Sequence, residues 1–399
     1  MAAIVLRNPK THLSQTLIRL ISTSSLSQDN SISSFRIAKK SIRYGFEPQK
    51  IAETFLKTTD HPRSYRDRSL FEMSVKKLAK LQRLDLVEKI LEYQKETTNL
   101  VKTEGFWIRI IMLYSNVGML DQAIRTFEQM KCEKSEKSFC ALLTACLENS
   151  RFDLVYKYFE SVPVKIGVLP GIVAHNLVMR AFIAEKKVDL ARELFDKMES
   201  EKGLKLEVSS YNVMLTGYLK YGEDKKFDEL YKEFMEKGLE PNLVTYNLKL
   251  SSLCKNKECV RAKRLIDEMV GKGVKPNVAS FNTVIAGFCK IADFESAKSV
   301  LEKLCSEEDE TVSPNSETYV TLIHHLVKEG EFELALEMCK KSLERKWVPP
   351  FSDMAGLVKG LAKLSKENEA KEIVENMKKM LRGTAPDAWK KVEGLLPLQ

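Results

Sequence analysis

One short phrase is written three times in this chain, and it limits the folds open to it. Ser210-Tyr211-Asn212 returns as Thr245-Tyr246-Asn247 and again as Ser280-Phe281-Asn282, at a step of 35 residues each time. Gly203, Gly238 and Gly273 keep the step, as do Pro241 with Pro276 and Cys254 with Cys289. A fixed period of this size marks an array of stacked units.

Within the unit Leu243–Asn277, Tyr246, Leu250 and Leu253 recur at helical spacing and predict a first helix with one buried face. The polar stretch Asn256–Glu258 breaks the pattern, and Ala262, Leu265, Ile266 and Met269 then mark a second helix. Gly271, Gly273 and Pro276 follow as a stop signal. Neither helix can bury its apolar stripe alone, so neighbouring pairs must stack. Ala262 has counterparts at Ala297, Ala335 and Ala370, which predicts a place where helices approach closely. The expected fold is all-α, a right-handed α-solenoid of about nine helix-turn-helix repeats.

The unit resembles the pentatricopeptide repeat family, which is mostly plant and organellar. Val244-Thr245-Tyr246-Asn247, Cys254-Lys255, Met269, Lys272-Gly273 and Lys275-Pro276-Asn277 all match that family's consensus. Tetratricopeptide repeats share the helix pair but keep a 34-residue period and another signature. In the family register the units run 68–102, 103–135, 136–171, 172–207, 208–242, 243–277, 278–315, 316–350 and 351–385. The seventh unit is three residues over length, near the acidic run Glu307–Glu310. Residues 34–67 read as an N-terminal helical cap in which Pro48 opens a helix, and residues 386–399 as a C-terminal capping helix.

The resemblance implies that the fifth residue of a unit and its last residue face one groove and together read one unpaired RNA base. A side-chain amide suits that task because it offers both a donor and an acceptor to the Watson–Crick edge. Four pairs fit: Asn176 with Glu207, Asn212 with Asn242, Asn247 with Asn277, and Asn282 with Asn315. By the same resemblance, Asn-plus-Asn pairs favour pyrimidines. The pairs Glu72 with Lys102, Trp107 with Ser135, Cys140 with Gly171, Val320 with Pro350 and Ala355 with Ala385 depart from the pattern. Asparagine near a helix start also caps free backbone N–H groups, so structure alone can account for its recurrence.

The formal charge of +9 has the sign expected for a nucleic-acid partner. Residues 1–66 hold 11 Lys or Arg against four Asp or Glu, a balance of +7, and the remainder carries only +2. An RNA-binding stripe in the array therefore needs charge segregated onto one face. The eight cysteines show no paired Cys-x-x-Cys spacing, and the five histidines are scattered apart from His324-His325. Buried reduced thiols are expected, with no metal site and no cofactor. Neither the deaminase-like extension of the family's editing members nor a nuclease-like carboxylate cluster follows the array, so no catalytic activity is expected. No apolar run is long enough to cross a membrane.

Trp347-Val348-Pro349, the stretch Leu357–Lys363 and Trp389-Lys390-Lys391-Val392-Glu393 resemble the C-termini of short pentatricopeptide proteins of the plant mitochondrial ribosome. Two functions follow. One is a factor that binds single-stranded organellar RNA, messenger or ribosomal, in mitochondrial RNA metabolism or translation. The other is a structural or accessory component of the mitochondrial ribosome, in contact with ribosomal proteins.

Met1–Gln28 contains no Asp or Glu, and sets Arg7, Lys10 and Arg19 among Ile4, Leu6, Leu13, Leu17, Ile18, Leu20 and Ile21. Ser22, Thr23, Ser24, Ser25 and Ser27 follow. An acid-free, Ser-rich amphipathic N-terminus reads as a transit peptide over residues 1–33, with mitochondria favoured over the chloroplast. Fused to a fluorescent reporter, residues 1–60 are expected to direct import into mitochondria, and a cytosolic or secretory distribution overturns the assignment.

Overall fold

The computed structural model describes residues 30–59, 67–96, 102–200, 203–306, 312–380 and 389. Nearly all of the expected transit peptide, the Glu307–Glu310 loop and the C-terminal capping helix apart from Trp389 lie outside the described residues. Among the described residues the regular structure is α-helical throughout, with no strand. The helices divide into two compact units, one ending at Tyr221 and the other beginning at Gly222. The division falls inside the unit 208–242.

The first unit opens with α1 (Asn30–Tyr44) and α2 (Pro48–Thr59), a helix pair ahead of the array. It continues through α3 (Arg68–Lys80), α4 (Leu84–Glu96), α5 (Glu104–Ser115), α6 (Leu120–Glu128) and α7 (Glu136–Glu148). It ends with α8 (Phe152–Ile166), α9 (Ile172–Ala184), α10 (Val188–Ser200) and α11 (Val208–Tyr221). The second unit holds α12 (Asp224–Glu236), α13 (Leu243–Lys255), α14 (Cys259–Gly271), α15 (Val278–Lys290) and α16 (Phe294–Cys305). Its last helices are α17 (Ser316–Glu329), α18 (Phe332–Glu344), α19 (Phe351–Lys363) and α20 (Glu367–Met380).

Within each unit the first helices of successive pairs touch one another, as α5, α7, α9 and α11 do, and as α13, α15, α17 and α19 do. They form one layer. The second helices form the other, packed on their own first helix and in several cases on the next one, as α6 is on α5 and α7. This is nearest-neighbour stacking, in which the core is a strip rather than a centre.

Two positions set the packing. The fourth residue of each first helix is buried, as Phe71, Phe139, Tyr211, Tyr246, Phe281 and Tyr319 illustrate. Trp107, 3% exposed, takes this place in α5 because the helix starts at Glu104 with Thr103 as its N-cap. Ile108, not Trp107, is therefore the fifth residue of that helix. The fourth residue of the second helix is alanine in six cases: Ala123, Ala191, Ala262, Ala297, Ala335 and Ala370 are all 0% exposed. Close approach recurs between first helices: a Cβ on Gly287 of α15 would lie 2.6 Å from Cys254 Sγ of α13.

Each pair of the array turns through one left-handed residue. Glycine supplies it at Gly118, Gly222 and Gly330, but Gln82 (φ 58°), Ser150 (φ 56°), Lys186 (φ 65°), Lys257 (φ 63°), Ala292 (φ 57°) and Ser365 (φ 59°) do so elsewhere. The next N–H then donates to a carbonyl five residues back, as Glu258 does to Leu253 and Asp293 to Phe288, which closes the helix end. A side chain in this conformation costs about 1–2 kcal/mol, so the packing that follows must outweigh it.

Trp389 is fully buried, its ring edge-on to Phe351 at 5.1 Å, and closes the second unit. Replacing Ala297 by Leu is expected to overfill its closed site and destabilise the chain by about 1–3 kcal/mol, read from a thermal or denaturant melt. An unchanged melting curve with soluble protein counts against the packing register.

Candidate nucleic-acid interface

Within each unit the chemistry of the first-helix starts begins with capping. Four N–H groups at each helix start have no intrahelical partner. Asn242, Asn277 and Asn315 stand at the N-caps of α13, α15 and α17. The Asn277 Oδ1 accepts from Ser280 N at 3.0 Å, and Asn277 N donates to Ser280 Oγ at 3.2 Å. Asn315 with Thr318 repeats this at 3.0 and 3.1 Å, and Asn242 with Thr245 at 3.1 and 3.3 Å. The last residue of these repeats is thus the cap of the next, held by a reciprocal pair of bonds.

The fifth-residue asparagines do something else. Asn247 Oδ1 accepts from Ser280 Oγ at 2.6 Å, and its Nδ2 donates to Asn277 Oδ1 at 3.5 Å. Asn282 Oδ1 accepts from Thr318 Oγ1 at 2.7 Å, and its Nδ2 donates to Asn315 Oδ1 at 3.3 Å. Each fifth residue therefore braces the capping box of the following first helix. The capping role belongs to the closing residue and the bracing role to the fifth. The oxygen of Asn277 and Asn315 must face the backbone N–H groups, which fixes the amide orientation. Their Nδ2 groups take no part in these bonds, and both side chains are half-buried at the surface of the layer. The pair offers outward donors and keeps its acceptors turned inward.

The structure brings Asn247 to Asn277 and Asn282 to Asn315. Asn212 lies in the first unit and Asn242 in the second. Asn176 is 8% exposed and its Nδ2 donates to Ser209 Oγ at 3.1 Å, while Glu207 is exposed and is not its partner. Asn176 Oδ1 and Ser210 Oγ, the counterparts of the atoms that join in the later repeats, are buried without a hydrogen bond.

Sequence reasoning missed a second way of closing these helices. The Glu104 carboxylate, at the start of α5, accepts from Ser135 N at 2.8 Å, from Ser135 Oγ at 2.7 Å and from Ser138 N at 3.3 Å, all at the start of α7. Glu136 accepts from Gly171 N at 2.7 Å, at the start of α9. A carboxylate is well suited to the positive end of a helix. The available signal was an acidic residue opening two consecutive first helices. Also missed was a lysine at the last turn of the first helices, with Lys220, Lys255, Lys290, Lys328 and Lys363 all exposed. In α13 and α15 it follows the fifth-residue asparagine by two helical turns, about 12 Å along the axis.

Burial pushes the thiols of Cys146, Cys254, Cys289 and Cys339 up to about 12, which holds them protonated. Cys305 is exposed, contrary to the expectation that all are buried. Among the described residues no group of three or more His, Cys, Asp or Glu side chains could hold a metal ion, and no helix is long and apolar enough to cross a membrane.

A family model described as "PPR repeat family" matches residues 206–255 and 241–290, and one described as "PPR repeat" matches 106–135, 173–202, 279–308 and 317–346. The chain is 31% identical over 366 residues to Small ribosomal subunit protein mL103 (rPPR7) of Arabidopsis thaliana, across 90% of this chain and 87% of that protein. It is 39% identical over 354 residues to a mitochondrial pentatricopeptide repeat-containing protein of the same plant, across 88% of this chain and 86% of the other. The crystal structure of the pentatricopeptide repeat protein PPR10 in complex with an 18-nt psaJ RNA element aligns with 91% of this chain and 61% of its own, at a TM-score of 0.47 and 16% identity.

The two closures of the first helices respond differently to acid. Burial raises the Glu104 carboxyl, but the bonds from Ser135 and Ser138 outweigh it and hold the group below its ordinary value of 4.5. Its contribution to stability is therefore complete above pH 4.5 and is lost as pH falls through the lower folded value. Glu104→Gln is expected to melt below the wild type at neutral pH, with the gap narrowing as pH falls below 4.5. A gap independent of pH shows that the charged form is not what closes α7.

Proposed function

The chain belongs to the pentatricopeptide repeat family, and from that premise we propose that it binds single-stranded RNA in mitochondria without catalysing a reaction on it. The carrying observation is the unused amide donors of Asn277 and Asn315, each beside the fifth-residue asparagine of the same repeat. Every pyrimidine offers a carbonyl oxygen at its second position, and inward-turned acceptors leave the pair set to donate to it. Lys290 supplies positive charge for the backbone of the same strand, the sequence-independent share of affinity, whereas Lys255 is paired with Asp224 at 2.7 Å. The mitochondrial setting rests on the relatives' names and on the acid-free N-terminus.

A second reading has its own support. A handful of asparagine pairs reads too few bases to select one transcript. A relative 31% identical across 90% of this chain is a ribosomal subunit protein. On that reading the chain is a component of the mitochondrial ribosome, and its RNA is ribosomal. Co-sedimentation with mitochondrial ribosomal particles separates the two, since a transcript factor leaves them at moderate salt and a component does not.

Asn247→Ala tests the base-reading geometry. A bidentate base contact discriminates by about 1–3 kcal/mol in the DNA case, so binding to a pyrimidine oligonucleotide is expected to fall about five- to hundredfold, and far less on a purine strand. Folding is expected to change little, because the Ser280 hydroxyl keeps an acceptor in Asn277 Oδ1 at 3.0 Å. Asn277→Ala removes the outward donor and a cap together, so it is expected to lose the pyrimidine preference as well and to cost about 1 kcal/mol of stability. Equal losses on both strands for Asn247→Ala overturn the reading.

A further inference from the structure

The charge of this chain sits at one end. Residues 30–83 hold 13 Lys or Arg and five Asp or Glu, a balance of +8 out of the chain's +9. This stretch contains α1, α2 and α3. Few of its cations among the described residues are spent on ion pairs: Lys39 meets Asp67, Lys50 meets Glu47 and Arg83 meets Asp85. Arg36, Lys40 and Arg43 share the exposed side of α1, opposite the buried Ile42.

Two large rings stand in the same place. Tyr44 is 60% exposed and Phe46 is 80% exposed. The Arg43 guanidinium lies over the Tyr44 ring at 6.0 Å, and the Lys77 ammonium lies 5.7 Å from the centre of Phe46. Lys77 reaches there from α3 by donating to the last carbonyls of α1, Ile42 O at 2.8 Å and Arg43 O at 2.6 Å. That anchor holds the rings and cations as one surface. Glu47, the acid next to Phe46, is already engaged by Lys50.

We infer that the α1–α3 end is a second RNA-binding surface, which takes unpaired RNA without regard to sequence. Exposed rings stack on any base, and the surrounding cations meet the phosphates. The site goes beyond the asparagine pairs and does not depend on them. An anionic membrane would call for a broad apolar face, and among the described side chains the exposed side of α1 carries Ile37 as its one large aliphatic group among these charges.

The probe is an oligoadenylate strand, which the asparagine pairs are not set to read, titrated with the full chain at several salt concentrations. Tyr44→Ala with Phe46→Ala is expected to weaken binding at least about tenfold. Lys40→Ala with Arg43→Ala is expected to lower the slope of log K against log salt by about 1.4, since each phosphate that is no longer neutralised takes away about 0.7. Asn247→Ala is expected to weaken oligoadenylate binding far less than it weakens binding to a pyrimidine strand, so this surface and the base-reading pairs fail separately. All four cap side chains are exposed, and a melting curve matching the wild type shows that the fold is kept. The inference is overturned if both cap variants bind oligoadenylate as the wild type does, or if the wild type does not bind it. It is also overturned if the variants lose binding to phosphatidylserine vesicles and not to RNA.

Discussion

The contact between consecutive first helices is the interaction on which the array rests. No helix here has a core of its own. Burial of Tyr246, Phe281 and Tyr319 is possible only because the next helix lies against each of them. Gly287 under Cys254, and Gly356 under Val327, show how close the approach is. The same contact brings residues 30 to 36 positions apart into hydrogen-bond range, as in Asn247 with Asn277 and Asn282 with Thr318. Register and site are therefore one property. A helix that slid by a residue would lose its buried ring and its asparagine brace together.

Closure of the helix starts then varies along the chain with a visible cost. Where asparagine stands at both places, the donors and acceptors of the following capping box are matched. Where it does not, Glu104 and Glu136 reach across to the exposed N–H groups instead. At Asn176 neither solution is complete: Glu207 is no amide, and Asn176 Oδ1 and Ser210 Oγ stay buried and unbonded. An unbonded buried polar group costs about 1–3 kcal/mol. The closing residue, rather than the fifth, decides whether the network forms.

Much of the fold could be read from periodicity, for a physical reason. Helix pairs leave apolar residues at helical spacing, and the closing glycines Gly203, Gly238 and Gly273 adopt the positive φ that their recurrence suggests. The turns inside the pairs were not legible, because Lys257 and Ala292 occupy left-handed positions that glycine would advertise. The start of α5 was misread by one residue because Thr103 looks like the first residue of a repeat while acting as its cap. The asparagines were legible as a recurring pair but not as a division of labour. Capping and bracing differ only in which neighbour the amide meets, and that neighbour is more than thirty residues away. The break at Tyr221 leaves no mark in the period at all.

An amide has two faces, and the array uses them for different ends. Its oxygen is committed to backbone N–H and hydroxyl groups inside the protein, which is a folding requirement. Its nitrogen is left over, which is a binding capacity. Since the oxygen cannot turn outward without uncapping a helix, the polarity offered to a ligand is set by the fold, before any ligand arrives. A ligand rich in acceptors is favoured at no further cost in protein rearrangement, and one that presents only donors meets the wrong sign. Few pairs of this kind give little sequence information, while most of the chain's net positive charge lies elsewhere, in the stretch that holds α1–α3. Separation of the two lets binding strength and base preference change independently, each by mutation of its own surface.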